Sequence, residues 1–154
     1  MNVEFINPFI ASMQNVLSTM AMIELAPNKP KRKTSDESEG DVTGLITMRG
    51  PQTRGSLAIV FDQDLAFSIM NNMLGESVTS IDEQVKDMVG EITNMICGGA
   101  KSTLSEKGYD FEMAIPRIIT GHRHTIKHDI ESPVILLAFE SEQGNAYLEI
   151  SFNN

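Results

Sequence analysis

The apolar positions of this chain recur with two periods. Phe9, Ile10, Met13, Val16, Leu17 and Met20 stand three and four residues apart behind Asn7-Pro8, a capping residue followed by proline at the first helical position. This predicts an amphipathic helix ending near Ile23. From Asp41 to Phe61 the pattern becomes strand-like: Val42 to Met48 and Ser56 to Phe61 flank Gly50-Pro51-Gln52-Thr53, turn chemistry that predicts a hairpin. A short helix carrying Leu65, Ile69, Met70 and Met73 follows, with Asp62 or Asp64 able to cap its start and Gly75 at its C-terminal end. A longer helix is predicted from about Ile81 to Glu106, with an apolar stripe of Ile81, Val85, Met88, Val89, Ile92, Met95 and Ile96. Asp82, Glu83 and Asp87 lie in its first turns, where the helix dipole favours negative charge. The last third reads as strands at Phe111 to Thr120, Val134 to Ser141 and Ala146 to Phe152, with a turn around Gln143-Gly144-Asn145. Pro116 places the first of these at an edge or at a bulge.

This order, with mostly hairpin links, predicts an α+β domain in which helices cover an antiparallel or mixed sheet. The 154 residues fit a single domain over 1–154, long enough to bury a core without staples. Between the first helix and the hairpin the composition changes sharply. Pro27, Pro30 and the basic run Lys29, Lys31, Arg32 and Lys33 precede Ser35, Asp36, Glu37, Ser38 and Glu39, so about 26–40 is predicted to be an exposed loop.

Composition narrows the function classes. Twelve basic against 21 acidic residues give a net charge of −9, the wrong sign for a general nucleic-acid binder, and the Lys29 to Lys33 run reads as a mobile loop rather than a nucleic-acid patch. The single Cys97 forms no internal disulfide and has no evident base partner, which fits a reducing cytoplasm and not a nucleophile. Met1 to Phe5 lacks the basic start of a signal peptide. The longest apolar run, Val134 to Phe139, is far short of the roughly 18 residues of a membrane span. A soluble cytoplasmic protein is expected, with no nucleic-acid or membrane partner. His122, His124 and His128 have no companion cysteine or acidic triad, and a solvated loop is favoured over a metal site. The ten methionines read as core filler on helical stripes.

The long helix is the informative element. At about 100° per residue, with Ile92 at zero, Glu91 falls near −100°, Gly98 near −120°, Asp87 near −140° and Asn94 near −160°, away from the stripe. Glu91 and Asn94 therefore project together. Gly98, one turn further, would let another surface come close, although a glycine inside a helix costs about 1 kcal/mol relative to alanine. Gly90 and Gly99 add to that cost. Taken alone, Glu-x-x-Asn is a common spacing and reads as a solvated face.

Its surroundings change this. Met88-Val89-Gly90-Glu91-Ile92-Thr93-Asn94-Met95-Ile96-Cys97-Gly98-Gly99-Ala100-Lys101 resembles the signature helix of the CheX-type chemotaxis phosphatases, relatives of CheC and FliY that act on the phosphorylated response regulator CheY. Asp41 to Ile46, Gly55 to Ala58, Met73 to Glu76, Gly121-His122, Phe139-Glu140, Gly144-Asn145 and Leu148-Glu149 look like further landmarks of that family in the same order. The chain departs from the family in reading Gly98-Gly99 where glycine then asparagine is frequent, and it carries one signature, as CheX does, where CheC carries two.

The resemblance implies a CheC-like/CheX fold and an aspartyl phosphate on a CheY-type receiver as substrate, with Mg²⁺ supplied by the receiver and no cofactor of the chain's own. It assigns Asn94 to positioning the in-line water, Glu91 to docking on the receiver's lysine, and Asp87 and Gly98 to the partner footprint. A homodimer built by symmetric pairing of β elements is also implied. The rival readings are a non-catalytic module of flagellar-switch type that binds phosphorylated receivers, and a dimerising domain whose polar helix face does nothing. Outside the Lys29 to Lys33 run, 8 basic residues stand against 21 acidic, a net −13. Asp82, Glu83, Asp87 and Glu91 concentrate that excess on the signature helix, a face suited to a partner's lysine.

Overall fold

A computed structural model describes residues 3–51 and 53–153 of the chain. Its helices are α1 (Val3–Ala21), α2 (Gln63–Leu74) and α3 (Glu83–Glu106). Its strands are β1 (Ala26–Pro27), β2 (Lys31–Arg32), β3 (Val42–Arg49), β4 (Arg54–Phe61), β5 (Glu112–Met113), β6 (Arg117–Thr120), β7 (Ile135–Glu140) and β8 (Asn145–Asn153). One eight-stranded sheet runs β1-β7-β8-β4-β3-β5, with β2 also on β7 and β6 also on β3, and every pairing is antiparallel. The predicted α+β architecture holds, and the mixed-sheet alternative drops out.

The hairpin forms as predicted, with Val42 opposite Phe61 and Arg49 opposite Arg54; Gln52 of its turn lies outside the described residues. Strand alternation divides its side chains. Val42, Ile46 and Met48 join the helices in the main core, whereas Leu45, Ala58 and Val60 form a second cluster with Ile126 on the other face. Of the two predicted caps for α2, Asp62 is the one used, accepting from the Leu65 N–H at 2.9 Å, and Gly75 ends the helix at φ +67°.

Several local expectations are corrected. α1 begins at Val3, not after Asn7, and Pro8 is buried inside it. The reason is packing: Phe5 is 1% exposed, stacks on Phe152 at 4.8 Å between ring centroids and meets the edge of Tyr109 at 4.9 Å. Burying such a ring outweighs one proline without an N–H near the start of a helix. The run from Phe111 to Thr120 is split into β5 and β6 on either side of Pro116, at the sheet edge, as proline requires. Residues 26–40 are exposed for most of their length, yet β1 and β2 pair with β7, so Lys31 and Arg32 belong to an edge strand and not to a mobile loop. Methionine is not uniformly core filler, because Met20, Met22 and Met95 are exposed.

The histidine segment is also not a solvated loop. Only His122 is exposed, with Nδ1 at 3.1 Å from Asp41. His124 lies 2.6 Å from the Thr43 hydroxyl and 2.7 Å from the Gly121 carbonyl. His128 has a side chain only 4% exposed, between the Ser56 hydroxyl at 2.6 Å and Glu149 at 2.9 Å. A carboxylate only accepts, so in the neutral ring Nε2–H donates to Glu149 and Nδ1 accepts from Ser56. The other Glu149 oxygen accepts from the Lys33 ammonium at 2.7 Å, the two side chains being 1% and 9% exposed. Lys33 thus leaves the basic run and enters the molecule to neutralise a buried carboxylate. Among the described residues no three His, Cys, Asp or Glu side chains converge where a metal could be held.

Two predictions follow from these burials. Lys33→Met leaves Glu149 buried without its cation and is expected to lower unfolding free energy by about 3 kcal/mol in urea titration; a loss under about 1 kcal/mol would show that the pair holds nothing. The fully buried Cys97 thiol is pushed by desolvation from 9.0 up to about 12. The unfolded chain sheds this proton first, so stability falls as pH rises from 9 toward 12, and the fall is expected to be shallower in Cys97→Ala.

Candidate functional site

α3 starts at Asp82, whose carboxylate accepts from the Val85 N–H at 3.0 Å. Asp82 is therefore a cap turned onto its own helix. Val85, Met88, Val89, Ile92, Ile96, Ala100 and Leu104 are buried and hold the helix on the core. Two close approaches fix its rotation. At Gly44 in β3 an added β-carbon would overlap the Thr93 side chain, so the absence of one lets α3 lie directly on the strand. The buried Thr93 hydroxyl satisfies itself by donating to the Val89 carbonyl at 2.7 Å. On the opposite flank a β-carbon at Gly99 would collide with Ser12 of α1, whose hydroxyl donates to the Ile96 carbonyl at 2.6 Å. Gly90, on the β6 side, faces Ile118 at 3.7 Å.

With one flank held by α1 and the other by β6, a strip of α3 remains open. Asp87, Glu91 and Asn94 are exposed on it, and Gly98 lies half-buried one turn on. The structure thus brings together all four residues singled out on the sequence. Glu91 and Asp87 carry no cation: the nearby Lys86 pairs with Glu83 at 3.2 Å, and among the described residues no ion pair or side-chain hydrogen bond holds Asp87, Glu91 or Asn94. The strip therefore offers two free carboxylates and a free carboxamide, able to receive a cation and orient a water respectively.

The three helix glycines separate by cause. Gly99 makes room for α1, and Gly90 touches β6. A β-carbon at Gly98 meets nothing within 4 Å, so no contact within the chain accounts for it, and alanine there would gain about 1 kcal/mol of helix propensity without a clash. Sequence reasoning placed Met95 in the buried stripe, but it is 38% exposed, at the edge of the open strip. Reasoning from sequence also missed that Gly44 and Thr93 seat the helix. A glycine inside a strand pattern is the signal that would have found the first, since it marks close approach of another backbone.

The chain has relatives among known proteins. The family model described as chemotaxis phosphatase CheX matches residues 42–140, from the first strand of the hairpin to the end of β7, with the whole of α3 between. The chain is similar to a CheC-like superfamily protein from Shewanella sp. PV-4, at 55% identity and TM-score 0.94 over 100% of both chains. It is also similar to the chemotaxis protein CheX of Vibrio vulnificus, at 55% identity and TM-score 0.92 over 97% of this chain and 99% of that one. At 25% identity and TM-score 0.79, over 97% of this chain and 98% of the other, it resembles a chain in the CheX–CheY–BeF3–Mg²⁺ complex of Borrelia burgdorferi. Comparison with curated protein sequences gives no match. Both the family model and the relatives at 55% identity point the same way, and the chain belongs to the CheX family of chemotaxis phosphatases.

Proposed function

We propose that this protein is a cytoplasmic phosphatase that hydrolyses the aspartyl phosphate of a phosphorylated CheY-type response regulator. The observation that carries the reading is that Glu91 and Asn94 stand exposed and unpaired on the one strip of α3 that neither α1 nor the sheet covers. The CheX–CheY complex of Borrelia burgdorferi supports a receiver as partner, and its Mg²⁺ supports the metal coming with the receiver. No helix among the described residues is long and apolar enough to cross a membrane.

The chemistry asked of the strip is small. An aspartyl phosphate is a mixed anhydride. Water attacks phosphorus as the bond to the aspartyl oxygen breaks, releasing phosphate and a free carboxylate, and catalysis is mainly positioning. The Asn94 carboxamide oxygen accepts from the attacking water, and its NH₂ can donate to nearby oxygens. Being neutral, it brings no charge that would repel an anionic phosphoryl group. Glu91 pairs with the receiver's active-site lysine, which docks α3 and sets Asn94 in line. Asp87 adds negative charge beside that lysine, and Gly98 lets the partner's surface approach the helix. The same reading includes a homodimer formed by symmetric pairing of β elements, and β6, at the sheet edge, pairs among described residues only with β3.

Catalytic amounts of the protein are expected to shorten the lifetime of a phosphorylated CheY-type receiver in a phosphate-release assay. Asn94→Ala should lower kcat at least about 100-fold while receiver binding persists, and Glu91→Ala should weaken binding about tenfold as well as lowering turnover. Wild-type turnover by Asn94→Ala would sink the mechanism; binding without turnover by the wild type would favour the flagellar-switch reading. Light scattering should give a mass of twice the 17.0 kDa chain, and a 17.0 kDa particle at micromolar concentration would remove the dimer.

A further inference from the structure

The open strip carries an apolar element that the proposed chemistry does not use. Met95 follows Glu91 by four residues and precedes Gly98 by three, so the three form one row along α3, on the α1 side of Asn94. Met95 keeps 38% of its surface exposed at the edge of an otherwise polar strip. Gly98 beside it has nothing within 4 Å of where its β-carbon would be. Within the chain each is a disadvantage: a polar residue would suit solvent better at 95, and alanine would strengthen the helix at 98. Both gain a use if another surface lies along the row. The missing β-carbon opens a hollow over the helix backbone, and the unbranched thioether makes an adaptable wall beside it.

We propose that Met95 and Gly98 form an apolar seat for a side chain that the phosphorylated receiver carries next to its active-site lysine. This rests on the receiver-phosphatase reading and adds the chemistry by which receivers are told apart. The free carboxylates of Asp87 and Glu91 select a cationic neighbour but meet any exposed lysine equally. The seat beyond them requires that the lysine be flanked by an apolar group small enough to enter over Gly98. A receiver with a charged or polar group there leaves Met95 wet, or strands that group against the thioether. A thioether neither orders a water nor pairs with a phosphoryl group, so the contribution of Met95 lies in docking and not in the chemical step.

The experiment uses the full chain and CheY-type receivers charged with acetyl phosphate, with steady-state kinetics on wild type, Met95→Ser, Met95→Leu and Gly98→Ala. Met95→Ser is expected to raise KM about threefold to tenfold with kcat unchanged, and Met95→Leu, which keeps the apolar bulk, to restore KM. Gly98→Ala is expected to raise KM while its unfolding midpoint rises, a combination that poor folding does not produce. Unchanged KM in both Met95→Ser and Gly98→Ala, for every receiver turned over, overturns the seat while leaving the phosphatase reading intact. If the wild type turns over no receiver, titration of the BeF3-charged receiver replaces kinetics. Weaker binding by the two variants then supports the seat without the phosphatase, and absence of wild-type binding overturns both.

Discussion

The arrangement of the molecule depends on how closely α3 lies on β3. Gly44 has no side chain where Thr93 comes down, and a threonine that fits into that gap fixes both the height of the helix above the sheet and its rotation about its own axis. Thr93 is the immediate neighbour of Asn94. Turning it toward the strand turns Asn94 and Glu91 away, and the Ser12–Gly99 contact locks the same rotation from the α1 side. The orientation of the strip is therefore set by buried small residues on its far side. Two further turns of buried apolar residues on either side of Thr93 keep the helix from tilting out of this seat.

A rigid helix needs a rigid sheet, and the opposite face of this one is not left to solvent. Leu45, Ala58 and Val60 pack with Ile126, while Thr43, Ser56 and Glu149 receive His124, His128 and Lys33. The covering segments contain almost no regular structure, so they are tied down by side chains. A carboxylate that is 1% exposed is tolerable only because an ammonium and an imidazole reach it from two different segments. A small apolar cluster and buried polar pairs hold this face, the main core holds the other, and the sheet is clamped between them.

This division explains what could be read from the sequence. The hairpin, an aspartate cap at Asp62 or Asp64, Gly75, the extent of α3 and the outward projection of Glu91 and Asn94 all follow from neighbours a few residues apart, and each was legible. Lys33 and Glu149 are 116 positions apart, and Thr43 and His124 are 81 apart, so no local pattern announces either pair. The two-residue strands β1 and β2 are too short for any period, and they exist because β7 offers them an edge. α1 starts early because Phe152, at the far end of the chain, waits for Phe5. In the site, helical geometry gave the direction of each side chain, but only the fold could separate the glycine required by α1 from the one that nothing in the chain requires.

In the proposed mechanism the freedom of Glu91 and Asn94 matters as much as their direction. Neither is held by another side chain, so ordering each of them on binding costs roughly 1 kcal/mol. A partner whose lysine ties down Glu91 is itself held over that turn of the helix and brings its own phosphoryl group against Asn94. A surface that does not engage Glu91 meets an Asn94 that points nowhere in particular. Docking and water placement are thereby coupled through one turn of α3, and the backbone beneath, already fixed by Gly44 and Thr93, needs no rearrangement. In this mechanism turnover requires a partner that completes the order of a site whose scaffold is rigid and whose two working side chains are free.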